Sequence, residues 1–515
     1  MLRSATGICL AAVFPISATA DIRFTPREVP KHVYSGGWEH FVGGGVAAFD
    51  CNEDGLLDAF IAGGASPSTL WVNTANNAGA ALSFEAREQP ILNVTGVTGA
   101  YPIDLTGDQI TDLVILRAGP DLLLKGEGNC SFSEYGSELN FNSDDHWTTA
   151  FSATWETGNT LPTLAFGTYV DRGNPDGPFQ ACDDLLLYRP KGAQYDAPTK
   201  LSPGFCSLSM LFTDWKRAGR QDLRVSNDRH YYVKGGQEQM WAMETTPRLY
   251  GKADGWRPYQ LWGMGIASRD VNGDGYSDVY LTSMGDQKFQ LFDPATDGPS
   301  YQNVPFEAGA AAHRPYEGGD GRPSTGWHAA FGDIQNDGLD DIFVAKGNVD
   351  QMPDAALDDP NNLLIQNTVG QFVEQGGEAG IGSMLRSRGA ALADFNLDGK
   401  LDLLVVNRRA DVQVYENVSK AQNWAALDLQ VTGSNRDGIG YFLEVETNSG
   451  RWVREVTIGG GHASGVLGPH HFGLGAAESA KVRLVRPDQT VSDWQQLDVN
   501  SISRVIDDGR KLRVD

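Results

Sequence analysis

Short apolar runs recur along the chain, each pair set around a polar, aspartate-rich stretch. GVAAFD precedes Asp50–Asp58 and LLDAFIAG overlaps its end; GIASRDV and SDVYLTS bracket Asp270–Asp278; GAALADF and LDLLVVN bracket Asp394–Asp402. Runs of this length, rich in Val, Ile, Leu and Phe and bounded by Gly, Asn and Asp, read as strands. Each unit is therefore predicted as strand, polar loop, strand. Units start at residues 50, 104, 155, 214, 270, 333 and 394. A lone hairpin cannot bury its own faces, so neighbouring units must cover it. Units of this size fit four-stranded blades, and the pattern predicts an all-β fold: a seven-bladed β-propeller over residues 31–418. An open solenoid is the alternative, but its repeats are usually shorter. From about residue 424 the repeat gives way to WAALDLQV, YFLEVET, WVREVTI and KVRLVR, which predict a small β domain over residues 419–515.

The polar stretches share the pattern D-x-D/N-x-D-G-x-x-D. It occurs as Asp50, Asn52, Asp54, Asp58; as Asp270, Asn272, Asp274, Asp278; and as Asp394, Asn396, Asp398, Asp402. Asp333, Gln335, Asp337, Asp341 is a close variant, and Asp104, Thr106, Asp108, Asp112 a looser one with Gln109 in place of the glycine. Calcium takes six to eight oxygen ligands, and side chains at positions 1, 3, 5 and 9 converge on one ion if glycine at position 6 turns the backbone sharply. The position-7 carbonyl adds another oxygen, while magnesium prefers to keep its waters. One such stretch is ordinary turn chemistry; five at one phase, each followed by an apolar strand, point to a metal. DWKRAGRQD at Asp214–Asp222 keeps both end carboxylates but carries Lys216 and Ala218 at positions 3 and 5. There the Lys ammonium is expected to replace the ion. WETGNTLPT at Trp155–Thr163 has lost nearly all its ligands.

These loops and their flanks resemble FG-GAP/VCBS repeats, known from integrin α-subunit propellers and many secreted bacterial proteins. The resemblance implies that each loop joins the two innermost strands of a blade and binds calcium on one face of the disc. Further on, NRDGIG, REVTIGGGHASG and HHFGLG, followed by KVRLVRP, resemble the ASPIC/UnbV domain, which typically follows VCBS repeats, as in the cartilage acidic protein family. The usual Trp-Pro after the late strand is Arg486-Pro487 here. His462, His470 and His471 lack a Cys or acidic partner at metal-ligand spacing and read as packing residues rather than transition-metal ligands.

Composition narrows the setting. Asp and Glu outnumber Lys and Arg by 66 to 41, for a net charge of −25, which disfavours nucleic acid and anionic membranes as partners. MLRSATGICLAAVFPISATA reads as a signal peptide, residues 1–20, with an apolar run too short to span a bilayer, so a secreted or periplasmic protein without membrane insertion is expected. Four cysteines follow: Cys51, Cys130, Cys182 and Cys206. They suggest two disulfides with three possible pairings, of which Cys182–Cys206 is favoured by the Pro/Gly-rich loop between them.

On the face opposite the calcium loops, strand ends place Arg117, Arg229, His230, His328, Arg388 and Arg408 beside Trp38, Trp147 and Trp327. Arginine forks and tryptophan faces suit a carbohydrate, an anionic small molecule or an extracellular protein. The alternative is that these groups only pack the blade tops. No G-x-S-x-G, H-E-x-x-H or phosphate-binding glycine loop is present, and no residue pair forms a catalytic set. The expected function is a secreted, calcium-binding ligand-binding or adhesion scaffold. The alternative is a carbohydrate-active lyase or hydrolase using the central pocket.

Overall fold

The computed structural model describes residues 21–174, 181–228, 235–318 and 320–515. The expected leader, Arg229 and His230 lie outside them. The chain is all-β, and among the described residues no helix is long and apolar enough to cross a membrane.

Most of it is a succession of antiparallel meanders. Val46–Phe49, Asp58–Ile61, Thr69–Asn73 and Phe84–Arg87 form the first, each strand paired to the next. The plan repeats in meanders that begin with Val97–Ile103, His146–Thr154, Ser207–Thr213, Gly263–Arg269, Gly326–Gly332 and Ser387–Ala393. These opening strands are mostly buried and rich in Gly, Ala and Ser, because each packs closely against the opening strand of the next meander. Ser387–Ala393 in turn packs against Val46–Phe49. Register shifts recur near the start of six of them, at Gly99, Ala150, Ser209, Gly265, Ala329 and Ala390. Such bulges raise local twist and bend the strand.

The last meander borrows its fourth strand from the start of the chain. Phe24–Arg27 pairs antiparallel with Gln413–Asn417, and the Arg27 guanidinium grips Glu416 through Nε and Nη2 at 2.8 and 2.7 Å. This strand precedes residue 31, where the sequence places the first boundary; it carries no aspartate loop and so leaves no trace in the repeat. Both disulfides form: Cys182–Cys206, as favoured, and Cys51–Cys130, which ties the first aspartate loop to the second meander.

The C-terminal module has two four-stranded sheets. His470–Gly475, Asn423–Val431, Ile502–Asp507 and Leu512–Val514 form one; Arg451–Glu455, Phe442–Glu446, Ala480–Val485 and Gln495–Leu497 form the other. Leu427, Leu443, Phe472 and Val482 share a single apolar core with Tyr101 and Phe151 of the second and third meanders. The module is therefore continuous with the repeats in packing, not tethered beside them.

Candidate metal centres and the face they share

Each aspartate loop sits between the first and second strands of its meander, as predicted. The position-1 carboxylate organises the turn. Asp50 Oδ1 accepts from Glu53 N at 2.7 Å and Oδ2 from Gly55 N at 2.8 Å. Asp270, Asp333 and Asp394 receive the position-6 glycine amide in the same way, at 2.9, 2.6 and 2.7 Å. The position-6 residue has positive φ in all five loops, including Gln109 at 75°, so the looser loop keeps the turn without the glycine. Position 5 caps position 7: Asp54, Asp108, Asp274, Asp337 and Asp398 each accept the amide two residues on.

The position-9 aspartates are buried and do more than face the loop. Asp58 accepts from Cys51 N at 2.9 Å and from Asn73 N, on the third strand, at 2.8 Å. Asp112 does the same with Leu105 N and Gly126 N, Asp278 with Val271 N and Phe292 N, Asp341 with Ile334 N and Gln366 N, and Asp402 with Phe395 N and Asn417 N. Each carboxylate thus joins its loop to the end of the third strand, a partner that the nine-residue spacing does not reveal.

Burial pushes the Asp58, Asp112 and Asp278 carboxyls up to about 7, with neighbouring loop carboxylates adding to the rise. Asp341 and Asp402 are likewise raised well above the ordinary carboxyl range, for the same reasons. A bound cation reverses this pressure by favouring the charged form. The donor set fits a hard cation. It is oxygen throughout, and Asp270 Oδ1 (position 1), Gln335 Oε1 and Asn396 Oδ1 (both position 3) are buried without a hydrogen-bond partner. Buried polar atoms are rarely left so. Two loops have competing cations: Lys125 holds Asp108 at 3.0 Å and Lys400 holds Asp398 at 2.8 Å.

The Asp214–Asp222 loop is neutralised by a residue other than the expected one. Lys216 reaches away to Asp297, while Arg220 Nε pairs with Asp222 at 3.0 Å and Trp215 Nε1 donates to the same carboxylate at 2.8 Å.

The C-terminal module lies across these loops. Trp452 Nε1 donates to Gly338 O at 2.8 Å, His471 Nε2 to Gly399 O at 3.0 Å, and Gly475 N to Asn336 O at 2.9 Å. Asp437 accepts from Asp104 N, and Glu455 from Asp214 N. Residues 431–511 match the ASPIC and UnbV family model. The ASPIC/UnbV domain also sends a segment among the opening strands of the meanders. Ile458 bridges Ala153, Gly459 bridges Leu211, Gly461 bridges Ile266 and Ser464 bridges Ala100, and Gly465–Leu467 adds a parallel strand to Val46–Phe49. Small residues make the passage possible. A Cβ on Gly45 would lie 1.7 Å from Ala463 O, and one on Gly99 would lie 2.2 Å from the same atom.

The residues predicted for a ligand face are placed as follows. His328 is buried against this segment, its Nδ1 accepting from His462 N at 3.0 Å. Arg388 is fully buried, 3.9 Å from the Trp327 ring centroid, and donates to the carbonyls of Phe41, Ser387, Asn348 and Val349. Arg408, also buried, donates to Val349 O and Gly36 O. Arg117 donates to Thr95 O and Pro120 O. Arg386, Arg408 and Arg409 converge on one carboxylate, Asp350, at 3.7, 3.5 and 2.8 Å. Trp38 is 47% exposed.

No curated protein matches the chain. Among solved structures it is similar to BBS1N crystallised with ARL6DN (TM-score 0.44, 10% identity, 76% of this chain and 97% of that one). It is also similar to an Agrocybe aegerita lectin that recognises non-reducing terminal N-acetylglucosamine (0.37, 15%, 66% and 80%). A third is a Trichoderma reesei carbohydrate-active enzyme of family AA12 (0.34, 9%, 78% and 100%). At these scores none bears on function.

Proposed function

We propose that the protein is an exported, calcium-binding β-propeller of the FG-GAP/VCBS type, seven-bladed and closed, that serves as a ligand-binding or adhesion scaffold. The observation that carries the calcium reading is the set of buried, unpartnered side-chain oxygens at loop positions 1 and 3. Closure is supported by the contact that leads from the last opening strand back to the first, and by the N-terminal strand that completes the final sheet. Export is supported by the two disulfides, which persist in oxidising compartments. The ligand is a carbohydrate, an anionic small molecule or an extracellular protein, taken on the face away from the loops. There Arg386, Arg408 and Arg409 outnumber their shared Asp350. A scaffold is favoured over an enzyme with a central cleft because Gly459–Ser464 runs among the opening strands that would line such a cleft.

Metal analysis of the dialysed protein tests the metal reading: calcium is expected in the loops beginning at Asp50, Asp270 and Asp333, with weaker occupancy at Asp394 and Asp104, where Lys400 and Lys125 compete. A glycan and small-anion screen of the calcium-loaded protein, repeated with Arg409→Ala, tests the ligand face. Retention of every hit by the variant contradicts that part alone.

A further inference from the structure

A cavity of about 190 Å³ lies between the ASPIC/UnbV domain and the loop-bearing ends of the fifth, sixth, seventh and first meanders. It is separate from the ligand face proposed above. Leu57, Phe331 and Leu392 supply apolar wall, and Arg269, Arg454, His470 and His471 supply the polar part. The two guanidiniums share a single carboxylate, Asp340, and hold it loosely: 3.6 Å from Arg269 Nε and 3.4 Å from Arg454 Nη2. Charge-assisted pairs normally close to about 2.7–2.9 Å. The Nε of each arginine is buried without a hydrogen-bond partner. Arg454 otherwise stacks on Phe472, 4.0 Å from the ring centroid. His471 gives its Nε2 hydrogen to Gly399 O, and its Nδ1 has no partner. Burial, then the charge of Arg454, lowers both imidazoles, so they are neutral at pH 7 and add no charge. Asp394 also borders the cavity, but its oxygens accept from Asp398 N and Gly399 N. Asp340 and Asp394 match the two guanidiniums in number, but neither accepts a hydrogen bond from an arginine Nε, so these unpartnered charged donors mark the polar end, while the rest is hydrocarbon.

We propose that this cavity binds a small monocarboxylate with a short apolar body, its oxygens on Arg269 and Arg454 and its hydrocarbon against Leu57, Phe331 and Leu392. The volume sets the size: a cavity of about 150 Å³ holds benzene, so acids from butyrate to benzoate fit. The apolar wall disfavours inorganic anions, which would leave it against polar oxygens.

Calorimetric titration of the calcium-loaded full chain with butyrate and benzoate tests this, with benzamide, phosphate and sulfate as comparisons. Saturable binding of at least one carboxylate is expected, with benzamide at least about tenfold weaker than benzoate and no saturation by phosphate or sulfate. Arg269→Gln should weaken the carboxylate at least about tenfold. Val466 borders the cavity and is 45% exposed. Val466→Trp therefore obstructs the space without removing a charge, and should abolish binding while leaving the melting temperature unchanged. Absence of carboxylate binding to the parent protein, equal binding of phosphate, or undiminished binding to Val466→Trp each overturns the proposal. None of these results affects the calcium reading, which is read by metal content.

Discussion

At the residue scale, the aspartates of a loop divide into two kinds that the pattern shows as one. Asp274 is exposed and caps its own turn, whereas Asp278 is buried and accepts amides from loop and third strand. Asp278→Asn puts an amide donor against amide donors, which costs about 1–3 kcal/mol; urea unfolding should show this loss in EDTA, and a larger one with calcium, where a ligand is lost as well. Asp274→Asn should lose stability only when calcium is present, because it removes a ligand and little else. The spacing made the loop legible but not the third-strand partner, which lies 14 or more residues downstream. Histidine gives a second expectation. His462 Nε2 accepts from Gly43 N, its Nδ1 faces Met264 O, and its own amide donates to His328 Nδ1, so a proton on either acceptor sets N–H against N–H. Burial lowers His462 to about 3 and His328 to about 4 from the ordinary 6.5. Folded values below the unfolded one mean stability that is complete above about pH 6.5 and lost as pH falls toward 4. At pH 5 the loss is about 2 kcal/mol per group. Denaturation of His462→Gln should show a shallower fall between pH 7 and 5 than the parent; an equal slope contradicts the assignment.

At the element scale, strands flanking aspartate loops were readable because the loop marks their phase. The C-terminal strands were readable from their apolar runs alone, but a short strand with neither mark was not. Phe24–Arg27 precedes every loop, yet it covers the edge of Gln413–Asn417 and supplies the Arg27–Glu416 pair. Deleting residues 21–30 should expose that edge, and unpaired edges recruit other chains. Light scattering should report self-association and a lowered melting temperature; a monomer of unchanged stability argues against the closing role. The Asp214–Asp222 loop teaches the same lesson. Its lost ligands are visible in sequence, but the choice of Arg220 over Lys216 as the internal cation depends on which side chain the neighbouring Asp297 draws away.

At the scale of the whole molecule, the sequence divides the chain at residue 419, and the structure joins what lies on either side. The ASPIC/UnbV domain covers loops at Asp104, Asp214, Asp333 and Asp394 and passes residues 458–467 among the opening strands. REVTIGGGHASG marks this segment by its glycines, but no periodicity says that its partners lie from about 200 to more than 400 residues upstream. On the calcium reading proposed above, the ions and the domain interface are coupled: loops that splay without them would lose the surface on which the domain rests. Scanning calorimetry of the calcium-loaded chain against the same chain in EDTA tests this most directly. Several sites each worth about 2–3 kcal/mol at saturating calcium give a fall of about 10 °C or more in a single transition shared by both parts. An unchanged transition in EDTA, or two independent transitions of which one ignores calcium, would contradict the account.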